Sequence, residues 1–177
     1  MLGVASLCIQ VKSVADNVAK LAFNGSEIDF GTSDVFPLPV AFNVVPLAGS
    51  IIDTTWDGSS EEAKLRDESR KILGIPELVV TATCTRVGVM TGHSISITAW
   101  FDSPVDAKET IKSLQSAKGV EVVDLPNPVF AAGKDPSFVG RIRGHQSNPR
   151  QLSLFVSGDN LRKGAALNAV QIAELLI

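Results

Sequence analysis

Cysteine, histidine and any surplus of basic charge are scarce in this 177-residue chain. Two cysteines, Cys8 and Cys84, are too few for a disulfide framework and fit a reducing cytosol. The 2 histidines do not combine with them into metal-ligand spacing, which argues against a zinc site. Against 19 Asp and Glu there are 16 Lys and Arg, a net charge of −3 with no basic stripe. That leaves no electrostatic footprint for nucleic acid or for an anionic membrane surface. No apolar run approaches the roughly 20 residues that span a bilayer. No Lys/Arg cluster precedes an apolar stretch at the N-terminus, so a secretory signal is not expected. Neither a G-x-G-x-x-G run after a strand nor a Walker loop occurs, so the chain carries no nucleotide fingerprint. With 45% hydrophobic and 20% charged residues, a single cytoplasmic domain of ordinary globular composition is expected, with no interdomain linker.

What is present is periodic. Val4, Leu7, Cys8, Val11, Val14, Ala15, Val18, Leu21 and Ala22 recur at helical spacing and predict an amphipathic helix over 3–22, stopping at Asn24-Gly25. Residues 26–58, rich in Pro and Gly, read as extended connections around the apolar segment 41–47. Ser59 followed by Glu62 is a capping box, opening a helix that should end near Leu73 at Gly74. Strands are predicted at 78–87 and 94–101, joined as a hairpin through Gly88–Gly92. A helix from Ser103-Pro104 follows, with the stripe Ala107, Ile111 and Leu114, then strands at 119–125, 138–143 and 151–157. Asp159 or Asn160 caps a last helix ending at Ile177. Adjacent strands on short connections favour an α+β fold, a mixed and largely antiparallel sheet covered by helices.

Strand parity supplies the sharpest chemical clue. Val80, Ala82 and Cys84 share one face, which Arg86 continues; Ile95, Ile97, Ala99 and Phe101 share another, which His93 extends backward. In a hairpin the guanidinium and the imidazole would meet at the turn end of a buried face. A buried guanidinium needs an anion, either a ligand carboxylate or a local acidic side chain, and parity leaves both readings open. The helix over 61–73 is polar all round and reads as a solvated helix with pairs such as Glu62–Arg66 and Asp67–Lys71. Glu61 and Lys64 share a face on it and present one charge of each sign. Cys84, mid-strand among small residues, reads as a structural thiol more than a reactive one, and Cys8 as core. The run Asp159-Asn160-Leu161-Arg162-Lys163-Gly164 is either a capped surface helix or a phosphate-attracting helix start.

Several runs together resemble one family. Thr83-Cys84-Thr85-Arg86-Val87, Gly92-His93-Ser94, AFNVVPLAG (41–49), ESRKILGIPEL (68–78), VGRIR (139–143) and DNLRKGAALNAVQIAE near the C-terminus closely resemble the aspartate-semialdehyde dehydrogenase family. The resemblance runs over nearly the whole chain, from about Gly3. It implies the C-terminal catalytic and dimerisation domain, of the glyceraldehyde-3-phosphate-dehydrogenase-like type. The family reduces 4-phospho-L-aspartate to aspartate semialdehyde with NADPH, for lysine, threonine and methionine synthesis, and works as homodimers. It further implies Arg86 as a bidentate clamp on the substrate carboxylate and His93 as general acid/base. Glu61 would meet the substrate ammonium and Lys64 the phosphate, with Asn160 beside the cofactor.

The family's Rossmann half, its nucleophilic cysteine and the strand after it have no counterpart here, and Cys84 aligns with a non-nucleophilic cysteine. The resemblance therefore implies a substrate-binding chain that does not turn over or hold NADP(H) alone. Its partner would be a second copy or a complementing Rossmann fragment, with the last helix, 161–177, packing on that missing domain. A non-catalytic dimerisation or substrate-binding module left by a truncated gene is the alternative, and an unrelated thiol hydrolase using Cys84 and His93 a distant third.

Overall fold

A computed structural model of the protein describes Lys12 and residues 35–52 and 58–177. The helix expected over 3–22, and Cys8 with it, lies outside the described residues except at Lys12. The chain divides into two compact units, Met1–Met90 and Thr91–Ile177.

Among the described residues of the first unit, the apolar stretch after Pro39 forms a buried cluster. Val40, Ala41 and Val45 are buried, with Phe36 and Leu47 packed against them. Strand β1 (Val44–Val45) pairs antiparallel with β2 (Arg86–Val87), placing Val45 opposite Arg86. Helix α1 (Ser60–Leu73) begins and ends as its sequence dictates. The Ser59 side chain accepts from the Glu62 amide at 3.3 Å while Glu62 Oε2 accepts from the Ser59 amide at 2.8 Å. Gly74, at φ 66°, takes the left-handed conformation that ends the helix. No residue of α1 is fully buried, in keeping with its polar sequence.

The two expected ion pairs on α1 do not form as predicted. Glu62 spends its second oxygen on the Cys84 amide, at 2.8 Å, and Asp67 is held by its neighbour Arg66. Glu62 thus ties the segment 80–85 to the start of the helix, with Arg70 Nε adding a bond to the Leu78 carbonyl at 2.8 Å. Along that segment the expected alternation holds: Val80, Ala82 and Cys84 are half-buried, Thr81, Thr83 and Thr85 exposed. Of the strand predicted over 78–87, however, only the last two residues, Arg86 and Val87, pair as a strand.

In the second unit four strands form a mixed sheet in the order β3-β6-β5-β4. These are β3 (His93–Trp100), β4 (Val120–Val122), β5 (Ser137–Gly144) and β6 (Gln151–Gly158). The β3–β6 and β5–β6 pairs are antiparallel and β4–β5 is parallel. The hairpin expected between 78–87 and 94–101 does not exist: β2 pairs with β1, and all eight residues of β3 pair with β6. The physical reason is matching of stripes. Ile95, Ile97 and Ala99 stand opposite Val156, Leu154 and Leu152, a longer apolar seam than a two-residue strand can offer.

Helix α2 (Ala107–Gln115) starts at Asp106, whose side chain accepts from the Lys108 and Glu109 amides, rather than at Ser103. Its predicted stripe, Ala107, Ile111 and Leu114, is its half-buried side. A short helix that the sequence pattern did not reveal, α3 (Pro128–Ala131), buries Ala131 and sets Phe130 edge-on to buried Phe138, ring centres 4.8 Å apart. The last helical segment opens with π-type turns over Arg162–Ala166 and continues as α4 (Leu167–Glu174), ending short of Ile177.

Two outcomes test these packing statements. A Cβ on Gly140 would stand 2.0 Å from the Val123 carbonyl oxygen and 2.7 Å from Pro126 Cδ, and the backbone atom cannot rotate away. Gly140→Ala should therefore lower stability by at least about 1–3 kcal/mol in urea denaturation, and an unchanged midpoint would contradict this packing. The amides of Ser59 and then Cys84 hold the Glu62 carboxyl below its usual range, against the opposing effect of burial. A depressed folded value means the unfolded chain binds more protons. The contribution is complete above the unfolded value of about 4.3 and disappears as pH falls through the lower folded one. Glu62→Gln should weaken the fold at neutral pH and flatten its acid dependence below about pH 4; parallel acid profiles would disprove the tie.

Candidate functional site

The residues singled out by sequence fall into two groups, one in each unit. The first surrounds Cys84. Burial pushes its thiol up from the ordinary range, the Glu62 and Glu61 carboxylates push in the same direction, and only Arg86 opposes them. The thiol is thus kept protonated near neutrality, the opposite of an activated nucleophile. A hydrolase built on Cys84 loses its chemical basis here.

Arg86 does not continue a buried face, as parity predicted; it is exposed, with its guanidinium carbon 6.0 Å from the centre of the Phe36 ring. Pairing with β1 for only two residues leaves the side chain at the rim of the small sheet, where a cation keeps its hydration. Glu61 and Lys64 pair with each other, Nζ to Oε1 at 3.3 Å, and both remain substantially solvent-accessible. Such a pair contributes about 0–1 kcal/mol, so either partner exchanges readily for another ion.

The second group lies where β3 begins and β6 ends. Register places His93 opposite Gly158. His93 is exposed rather than set in a buried face, and its Nδ1 lies 2.5 Å from the Asn160 Oδ1. Behind it, Ser94 and Ser157 share a hydroxyl–hydroxyl bond across the same strands. Among the described residues none bonds the Nε2 of His93. That nitrogen is therefore available to a reacting group.

The phosphate-attracting helix start does not materialise. Asp159 Oδ1 already accepts the Leu161 and Arg162 amides at 2.7 and 3.2 Å, so a carboxylate occupies the anion position. The neighbouring cations are also engaged, Arg162 with Asp135 and Lys163 with the Gln171 side chain. Sequence reasoning missed the reach of Glu62 and Asp159 beyond their caps. A capping pattern announces the local bond only; nothing local encodes the second oxygen's partner. Among the described residues no group of His, Cys, Asp and Glu could hold a metal ion, and no helix is long and apolar enough to cross a membrane.

Comparison with known proteins agrees with the α+β architecture. The semialdehyde dehydrogenase dimerisation domain matches residues 3–163. An aspartate-semialdehyde dehydrogenase of Streptomyces akiyoshiensis is 53% identical over 99% of this chain and 52% of its own length. Aspartate semialdehyde dehydrogenase II of Vibrio cholerae, solved in complex with ASA, superposes with a TM-score of 0.79 at 37% identity, over 94% of this chain and 49% of that one. The Candida albicans aspartate semialdehyde dehydrogenase, solved with NADP, gives 0.54 at 25% identity, over 73% of this chain and 42% of that one. The chain spans about half the length of the curated relatives it matches. It belongs to the semialdehyde dehydrogenase family, to which it is joined through the dimerisation domain.

Proposed function

We propose that this chain is the C-terminal, substrate-binding and dimerising half of an aspartate-semialdehyde dehydrogenase. Its task is to hold 4-phospho-L-aspartate, or the semialdehyde product, for an NADPH-dependent reductive dephosphorylation in the cytoplasm. The observation that carries this reading is His93, solvent-facing, held through one ring nitrogen by Asn160 with the other unengaged among the described residues.

The family resemblance gives this chain's residues their roles one by one. Arg86 presents two parallel N–H donors to the α-carboxylate, a geometry a lysine cannot reproduce. Glu61 turns from Lys64 to the substrate ammonium and Lys64 to the phosphate. The weak, solvated pair they form with each other lets both exchange without a large penalty. His93 moves a proton at Nε2, accepting it from the attacking thiol and returning it to the departing sulfur as the tetrahedral carbon formed by hydride addition collapses to the aldehyde. The resemblance assigns that thiol to the complementary half, and Cys84, pushed up by burial and by the Glu62 and Glu61 carboxylates, is poorly suited to the task.

For the dinucleotide, the residues here fit only an edge. Asn160 has its amide nitrogen to offer a carboxamide, whereas the helix amides that would cradle phosphates are filled by Asp159. NADPH, bound mainly elsewhere, supplies the hydride. Homodimerisation is supported by apolar exposure on the edge strand β3, where Ile95 is 43% and Trp100 67% accessible.

Calorimetric titration of the full chain with aspartate semialdehyde tests the site. Arg86→Ala should weaken binding at least tenfold and Arg86→Lys should recover little of it, as loss of a charge-assisted bidentate pair demands. Equal affinity in Arg86→Ala removes the clamp. Turnover should appear only on adding a separately produced N-terminal Rossmann half, and a reconstituted pair with Arg86 intact that stays inactive would sink the enzymatic reading.

A further inference from the structure

Asp159 does more than a helix cap requires. It is 5% exposed, and both its oxygens are engaged. Oδ1 accepts the Leu161 and Arg162 amides, the bonds of an ordinary cap. Oδ2 accepts the Gly133 amide at 2.7 Å, a residue 26 positions away in the loop after α3, at a glycine with φ 76°. The chain at 159 is therefore pinned from the helix side and from the α3 loop at once. The amides of Gly133 and Leu161 hold its carboxyl below the usual range against the effect of burial, so it stays ionised and keeps all three bonds near neutrality.

The residue after this anchor is Asn160, whose amide oxygen meets the His93 Nδ1. The ring's own backbone is equally constrained. His93 is locked opposite Gly158 by strand pairing, and it follows Gly92, at φ 105°, where a Cβ would stand 3.0 Å from Pro128 Cβ and 3.3 Å from the Gly158 carbonyl. The backbones that carry the imidazole and the amide are thus each constrained, that of His93 by strand pairing and that of Asn160 by the anchored residue before it.

We infer that Asp159 is a positioning residue for the His93 imidazole, acting through Asn160. The anchored carboxylate holds the Asn160 carbonyl on Nδ1, so that the neutral ring carries its proton there and Nε2 is the basic nitrogen. A carbonyl oxygen only accepts, so the atom facing it must be the N–H; the lone pair then lies on the outward nitrogen. This rests on the reading of His93 as the proton-transfer group. It adds that the tautomer is set by a carboxylate that touches neither the ring nor any reactant. An amide turned the other way would donate to Nδ1 and select the opposite tautomer, so the two arrangements are distinguishable.

Long-range proton–nitrogen NMR on the full, nitrogen-15-labelled chain reads the tautomer directly. His93 is assigned by the signals missing from His93→Gln, which leaves His145. The expected result is a protonated Nδ1 in neutral His93, and loss of that pattern to the Nε2–H form or a mixture in both Asp159→Asn and Asn160→Ala. Should Asp159→Asn fail to fold, Asp159→Ser supplies an acceptor for the helix amides while giving up the tie to Gly133, and the same loss is expected. A wild-type ring protonated at Nε2 overturns the inference. So does a folded Asp159 variant whose His93 signals match wild type. The measurement needs no turnover and no substrate, so a chain that fails to bind aspartate semialdehyde still reports its tautomer, and the two readings fail separately.

Discussion

The antiparallel register that sets His93 opposite Gly158 governs the chemical end of the larger sheet. A strand's side chains alternate, so a slip of one residue would turn His93 from Asn160 and replace Ile95, Ile97 and Ala99 with Ser94, Ser96 and Thr98 on the apolar seam. The seam therefore protects the register, and the register places the imidazole. Gly140 protects the neighbouring pair in the same way. Its missing side chain lets the Val123 and Asp124 carbonyls approach β5 closely, while the bulge between Gly140 and Arg143 puts Arg141 at φ 54°. Positive φ in a non-glycine residue is disfavoured and is held here by the strands on either side of it.

Charge is used in two different ways on helix α1 and at the end of β6. Glu62 and Asp159 are engaged by backbone amides, fixed donors that favour the ionised carboxyl without needing a mobile partner. These two acids hold segments together. Glu61 and Lys64, by contrast, satisfy each other in solvent, where the pair adds little to stability and gives way easily. Adjacent residues of one helix thus have opposite roles: Glu62 is committed to the fold, and Glu61 remains exchangeable. The groups that hold the fold are thus distinct from those free to take another ion.

Much of this was legible along the chain and some was not. The Ser59–Glu62 capping box, the stop at Gly74, the half-buried alternation Val80, Ala82 and Cys84, and the stripe Ala107, Ile111 and Leu114 all follow from local spacing. The family runs pointed to Arg86 and His93 as residues of interest. Parity failed on their surroundings: it put both on buried faces of one hairpin, whereas both are exposed and their strands belong to separate sheets. A period of two says which residues share a face but not which strand lies alongside, and short β2 found its partner in β1.

Caps, helix ends and face parity were set by bonds within a few residues, and the amino-acid order alone was enough to decide them. Contacts closed across long loops needed the folded chain: Glu62 with Cys84, 22 positions apart, Asp159 with Gly133, 26 apart, and His93 with Asn160, 67 apart. The reason lies in the carboxylate and the amide themselves. Each has a second acceptor or donor beyond the one its local motif employs, and no short-range pattern says where it goes. Strand register and close backbone approach made that choice, and with it decided which ring nitrogen of His93 faces outward.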